Sequence, residues 1–382
     1  MRHRLARMGA MNEIQQYLAE EIAETCGQGH ITRAEALRNL SILGVSAAVA
    51  FSLLNAACSS SDAGRDDGAA QAVAGSGAAS PVPGAMPNAN MEAAPATPMA
   101  NPADSNVEVT VAPSAPLAGA SGAMKPSMAA ADGMTPQEMT PPVADPGDLA
   151  ALSGPGMGLP TEAITFAGPN GTPLQGAFAT APNPRGAVLV IHENRGLNDH
   201  IRTVVGRFAA AGFTAIGLDL LSDSGGTPAD QMQAMTQIGM LDVTRSVANM
   251  RACLDELERR APGAKIGVVG FCFGGGMVWQ LLLSKDPRLA AAAPFYGQLP
   301  MNADFTGSNA SVLAFYGELD TRINASREAA NTALTNAGVT HEIVTEPGAN
   351  HAFFNDTGMN YNEAAATDAW SRVLAWFAEH LS

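Results

Sequence analysis

The sequence predicts an α/β fold built on a mostly parallel sheet with helices on both faces. Three observations predict it. Apolar runs alternate with helix-period segments from residue 160 to the end of the chain. The middle and late runs are continuous rather than alternating, which marks strands buried on both faces and joined by crossover helices. Four of these runs end directly in polar clusters, and in such sheets functional groups collect at the carboxyl ends of the strands.

The elements follow in order. Strands are expected at 163–166 (AITF), 174–179 (LQGAFA), 187–191 (AVLVI), 214–218 (TAIGL), 265–269 (KIGVV), 291–295 (AAAPF), 312–316 (VLAFY) and 342–345 (EIVT). Between and after them, helical spacing of apolar and charged residues predicts helices at 199–211, 228–260, 276–284, 325–337 and 363–380. The run at 187–191 leads into His192-Glu193-Asn194-Arg195-Gly196, and that at 265–269 into Gly270-Phe271-Cys272-Phe273-Gly274. The run at 312–316 leads into Gly317-Glu318-Leu319-Asp320, and that at 342–345 into Glu346-Pro347-Gly348-Ala349-Asn350-His351.

Composition divides the chain of 382 residues. Residues 59–159 are rich in Ala, Pro, Gly, Ser and Met and poor in aromatic residues, which predicts a disordered tether. Residues 160–382 are long enough to bury a full core and are expected to form the catalytic domain. The net charge is −15, and residues 151–382 carry 14 basic against 21 acidic side chains. No basic stripe is present, which argues against a nucleic-acid partner. The four cysteines do not make a disulfide scaffold, and Cys253, inside a helical pattern, reads as a small buried apolar residue.

Residues 1–58 have the plan of an export signal. Leu40 to Cys58 is 19 residues without a charge, preceded by Arg33 and Arg38. ITRAEALRNL resembles a twin-arginine motif with Ala34 at the second arginine. Asn55-Ala56-Ala57-Cys58 resembles a lipoprotein box with Asn55 where leucine is usual. The expectation is an exported, periplasmic or cell-envelope protein, attached to the membrane only through its N-terminus, with Cys58 as the candidate lipid site. An uncleaved anchor is the alternative.

Gly270-Phe271-Cys272-Phe273-Gly274 matches the G-x-S-x-G nucleophile elbow with cysteine for serine. The elbow exposes its nucleophile at a strained strand-to-helix turn, and the helix N-terminus behind it favours thiolate. Asp320 and His351 follow 48 and 31 residues later, the nucleophile–acid–histidine order of the α/β-hydrolase triad. His351 is the expected general base, Asp320 its orienting partner, and the backbone N–H groups of Phe273 and Asn194 the oxyanion hole. His192 beside that loop reads as structural, and His200, His341 and His380 as surface residues. No P-loop lysine follows the glycines, and no cluster has metal-ligand spacing.

IHENRGLNDHIR, GFCFGGGM, YGELD and NHAFFND together resemble the dienelactone hydrolase (carboxymethylenebutenolidase-like) family over about residues 160–382. The resemblance implies an α/β-hydrolase fold with an eight-stranded sheet and no cofactor, cleaving a lactone or carboxylic ester through a cysteinyl acyl-enzyme. It also implies that Glu193 contacts the resting thiol and takes its proton when substrate binds. The family's carboxylate-clamping arginine four residues after the histidine is here Asn355, and the second has no match between Leu221 and Asp242. Arg195 and Arg322 flank the inferred site as candidate replacements. Two alternatives remain open from sequence: an esterase or acyl-transfer enzyme acting on uncharged esters, and a non-catalytic tethered binding protein.

Overall fold

The computed structural model describes residues 11–62 and 158–382, with side chains described through residue 57 in the first stretch. The expected tether lies almost wholly outside the described residues. The first stretch is three helices. α1 (Glu13–Gly27) opens on a capping box, in which the Asn12 side chain accepts from Gln15 N and the Gln15 side chain accepts from Asn12 N. α2 (Arg33–Ile42) repeats the device with Thr32 and Glu35. α3 (Ala47–Asp62) completes the group. The charge-free residues 40–58 are therefore not one helix: the chain turns at Gly44, whose φ of +84° favours glycine. Among the described residues, no helix is long and apolar enough to cross a membrane. Leu18, Ala19, Leu40 and Leu54 are fully buried in an apolar cluster continuous with that of the following domain.

The second stretch runs β1 (Glu162–Ala167), β2 (Pro173–Ala179), β3 (Gly186–Ile191), α4 (Asp199–Ala210), β4 (Phe213–Leu218), α5 (Gln231–Gly239) and α6 (Val243–Arg260). It continues through β5 (Ile266–Phe271), α7 (Phe273–Leu283), β6 (Leu289–Phe295), β7 (Ser311–Gly317), α8 (Thr321–Asn324), α9 (Arg327–Asn336), β8 (His341–Glu346) and α10 (Glu363–Leu381). All eight expected runs are strands of one sheet, ordered β1-β2-β4-β3-β5-β6-β7-β8. β1 and β2, and β2 and β4, pair antiparallel; every other pair is parallel. Every residue of β3, β4 and β5 is buried, as continuous apolar runs require. α4 and α10 share a face, with Phe208 against Trp370 and Phe377 at ring distances of 4.8 and 5.9 Å.

Three helical expectations need correction. Residues 228–260 form two helices, because Asp230 and Asp242 each cap a separate start, accepting from Gln233 N and Arg245 N. Residues 325–337 likewise follow a short helix, α8, that Asp320 caps. α7 begins at Phe273 rather than residue 276: the glycines that look like breakers lie inside the helix, where they let it press on the sheet.

This order fixes where the chemistry can sit. From β3 the chain crosses to β4 on one side, and later returns to β5 on the other. The loops leaving β3 and β5 therefore diverge at the carboxyl edge and open a crevice. Ile191 is paired with Gly270, so His192-Glu193-Asn194 and Phe271-Cys272-Phe273 leave the sheet at the same level.

Candidate active site

Cys272 stands at the β5–α7 turn with φ 57° and ψ −119°, in the left-handed half of the map. Most residues avoid it, and such strain persists where surrounding structure over-determines it. The flanking glycines are part of that structure. A Cβ on Gly274 would meet the carbonyl oxygens of Ile191 and His192 at 2.5 Å, and one on Gly270 would collide with the Gly274 carbonyl. Cys272 N donates to Phe295 O at 3.1 Å, tying the turn to β6. Phe273 is the first residue of α7, so no intrahelical carbonyl reaches its N–H. The same edge carries two further residues at positive φ, Tyr296 (38°) and Ala352 (61°).

Asp320 and His351 reach the turn from the loops after β7 and β8. His351 Nδ1 lies 2.6 Å from Asp320 Oδ2, while Ile323 N donates to Asp320 Oδ1 at 3.1 Å. Asp320 is fully buried and His351 is 6% exposed. Burial alone would raise the Asp320 carboxyl, but the His351 imidazole and the Arg322 guanidinium outweigh it and hold it below the usual range. Burial alone would lower the imidazole, but the Asp320 carboxylate and the Cys272 sulfur hold it well above its ordinary value. With Nδ1 held by the carboxylate, Nε2 faces the cysteine. The Cys272 thiol is pushed up by burial and by the Glu21 carboxylate, against the opposing pull of His351.

The remaining predicted residues separate. Glu193 is buried on the loop after β3, but its Oε2 accepts from Asn355 Nδ2 at 2.6 Å. Asn355, where the resemblance implies an arginine, therefore binds the protein's own carboxylate. Among the described residues, the carboxylate contacting the thiol is that of Glu21, with Cys272 Sγ donating to Oε2 at 3.5 Å. His192 is structural: Leu220 N donates to its Nε2 at 3.1 Å, which leaves Nδ1 to donate to Glu193 O at 2.7 Å. Arg195 is exposed on its loop. Arg322 is at the site, its Nε donating to Glu24 Oε2 at 2.9 Å and its guanidinium lying 4.7 Å from the Tyr17 ring centre. His200 is buried rather than on the surface, paired with Asp356 at 2.9 Å; Arg207 binds the other oxygen of that carboxylate.

Sequence reasoning missed α1. Tyr17 Oη lies 3.2 Å from Cys272 Sγ and 3.4 Å from His351 Nε2. Glu21 Oε1 accepts from Asn194 Nδ2 at 2.5 Å. Glu21, Cys272 and His351 bring one ligand atom each within 4.8 Å of one another, a set with the donor chemistry for a thiophilic divalent ion. These partners lie 173 to 334 residues from α1, so no local spacing could reveal them. The one local signal was Tyr17, Glu21 and Glu24 at helical spacing on one face.

A family model described as the dienelactone hydrolase family matches residues 174–381. A Salmonella typhimurium protein named "Putative carboxymethylenebutenolidase" is 34% identical over 209 residues, covering 50% of this chain and 77% of that protein. A Klebsiella pneumoniae crystal structure titled "Putative Dienelactone Hydrolase" is 29% identical, with a TM-score of 0.50 over 57% of this chain and 99% of that one. A dienelactone hydrolase-like promiscuous phosphotriesterase from metagenomic libraries is 26% identical, with a TM-score of 0.50 over 58% and 99%.

Proposed function

The chain belongs to the dienelactone hydrolase family and is a lactone or ester hydrolase, and from that premise we propose that it works through a cysteinyl acyl-enzyme on Cys272. The observation that carries the reading is the aspartate–imidazole pair at 2.6 Å aimed at a cysteine held at φ 57° on the strand-to-helix turn. The thiol gives its proton to His351 Nε2, and the sulfur bonds to the substrate carbonyl carbon. The resulting oxyanion takes hydrogen bonds from Phe273 N–H and Asn194 N–H. As the tetrahedral carbon collapses to a thioester, the leaving oxygen takes the proton back from His351. Water, deprotonated by His351, then releases the acid and restores the thiol. Asp320 keeps Nδ1 protonated throughout and stabilises the imidazolium. Glu193 serves as a second acceptor for the thiol proton, freed from Asn355 when substrate enters.

The substrates best supported are neutral or mixed esters and lactones. The arginine position after the histidine holds Asn355, bound to Glu193, and Arg195 is exposed. The test measures kcat/KM on a matched neutral and anionic ester pair for wild type and Cys272→Ala. The variant is expected to lose turnover by about 10⁴-fold or more on both esters while its melting curve stays cooperative. Retained turnover sinks the acyl-enzyme, and a strong preference for the anionic ester sinks the substrate reading.

A further inference from the structure

We propose that α1 is a built-in inhibitor of the cysteine site: Tyr17 fills the space between nucleophile and base that a substrate carbonyl must enter, and catalysis requires α1 to leave. The proposal rests on the reading of Cys272 as nucleophile and adds the regulation of that site.

Geometry carries it first. Attack needs the carbonyl carbon roughly 3–3.5 Å from sulfur, with the leaving oxygen near the imidazole. The phenol oxygen of Tyr17 already stands 3.2 Å from Sγ and 3.4 Å from Nε2. Cys272 is 2% exposed with α1 in place. The cavity left beside Tyr17, lined by Ile14, Phe273, Met277 and Leu299 among others, measures about 140 Å³. Ordinary small-molecule sites run to roughly 300–1,000 Å³. Part of this cavity's wall is α1 itself, so withdrawal of the helix enlarges it.

Charge carries it second. Glu21 holds a carboxylate against the thiol and is held there by Asn194, on the loop expected to stabilise an oxyanion. A fixed anion beside the oxyanion loop opposes both a thiolate and a developing oxyanion. Together with burial it pushes the Cys272 thiol up. Glu24 meanwhile occupies Arg322 at 2.9 Å, where a substrate's polar end would compete.

The attachment can be released. α1 is held by Leu18 and Ala19 in the shared cluster and by Asn12 Nδ2 donating to Gly239 O at 2.9 Å. No residue of α1 belongs to the eight-stranded sheet. The same segment carries the features of an export signal. A cut before Cys58 would carry off α1, α2 and most of α3, so that the precursor is inactive and the product active.

The experiment uses the full chain. Leu18→Asp forces a charge into the cluster that seats α1, and Glu24→Lys sets two cations against each other without touching the core. Both are assayed on a chromogenic short-chain ester, and Cys272 alkylation by iodoacetamide is followed by peptide mass. If the open form is about a tenth of the population and Leu18→Asp opens the rest, kcat/KM and the alkylation rate rise by about 10-fold, and in Glu24→Lys by a smaller factor. Hydrolysis that falls, or hydrolysis and alkylation that both stay at the wild-type level, in two variants that still melt cooperatively overturns the proposal and makes α1 part of the working site. Faster alkylation with no hydrolysis in any form upholds the inhibitor and refutes the hydrolase reading instead.

Discussion

The two groups of residues that meet at Cys272 are placed by different means. Those of the sheet domain are set by backbone: Cys272, Glu193, Asp320 and His351 each sit a few residues beyond a strand of the sheet, on loops whose level is fixed by strand register. Those of α1 are set by side-chain packing alone, through Tyr17, Glu21 and Glu24 on one face of a helix that joins no sheet. The first group is permanent, because moving it means unmaking the sheet. The second can leave as a unit. Contact distance does not separate the groups, since Tyr17 is as close to the thiol as a reacting atom would be. What separates them is the sign of the effect when each is removed.

The largest test of that difference on the sheet side, after the cysteine itself, is Asp320→Asn. It keeps the shape but leaves Nδ1 in the wrong tautomer, and kcat is expected to fall by roughly 10⁴-fold. Combining it with Leu18→Asp should leave the loss in place, because withdrawing α1 cannot restore an oriented base. Next comes Glu193→Gln. If Glu193 takes the thiol proton, pre-steady-state acylation should fall by about 10²-fold or more while deacylation holds. Equal loss in both steps would make Glu193 only an anchor for Asn355.

The third test is of stability. Asp356, just beyond Asn355, is held down to about 2 by hydrogen bonds from His200 and Arg207. Its folded value lies below the unfolded one, so its contribution is complete above about pH 4 and is lost as pH falls toward 2. Asp356→Asn leaves the buried Arg207 without its carboxylate and should cost about 3 kcal/mol at pH 7, with the gap to wild type closing in acid. Urea melts at pH 7 and pH 3 check both statements; an unchanged midpoint at pH 7 refutes the anchoring role.

Most of the sheet domain was legible because most strands are self-contained apolar runs, and each of Cys272, Glu193, Asp320 and His351 lies within five residues of a strand's end. Helix boundaries were less legible. The break at Met240-Leu241 depends on Asp242 acting as a cap rather than as one more polar residue on a long amphipathic face. His200 was misplaced for a similar reason: its partner Asp356 lies 156 residues away, and a polar residue in a first helical turn looks solvated until that partner is known. Residues 11–57 were hardest. Leu40, Leu43, Val45 and Leu54 are buried against protein, and the same apolar residues satisfy a reading in which they meet a membrane. A hydrophobic pattern states that water is avoided and leaves open what replaces it.

The left-handed backbone of Cys272 sets reactivity and durability in opposition. A side chain at that φ and ψ costs of order 1–3 kcal/mol, a strain glycine would not carry. The residue that makes the turn useful is thus one the turn would shed if stability were the only criterion. Glycine there would relieve the strain but delete the nucleophile and the packing of a buried sulfur, which offsets part of the gain.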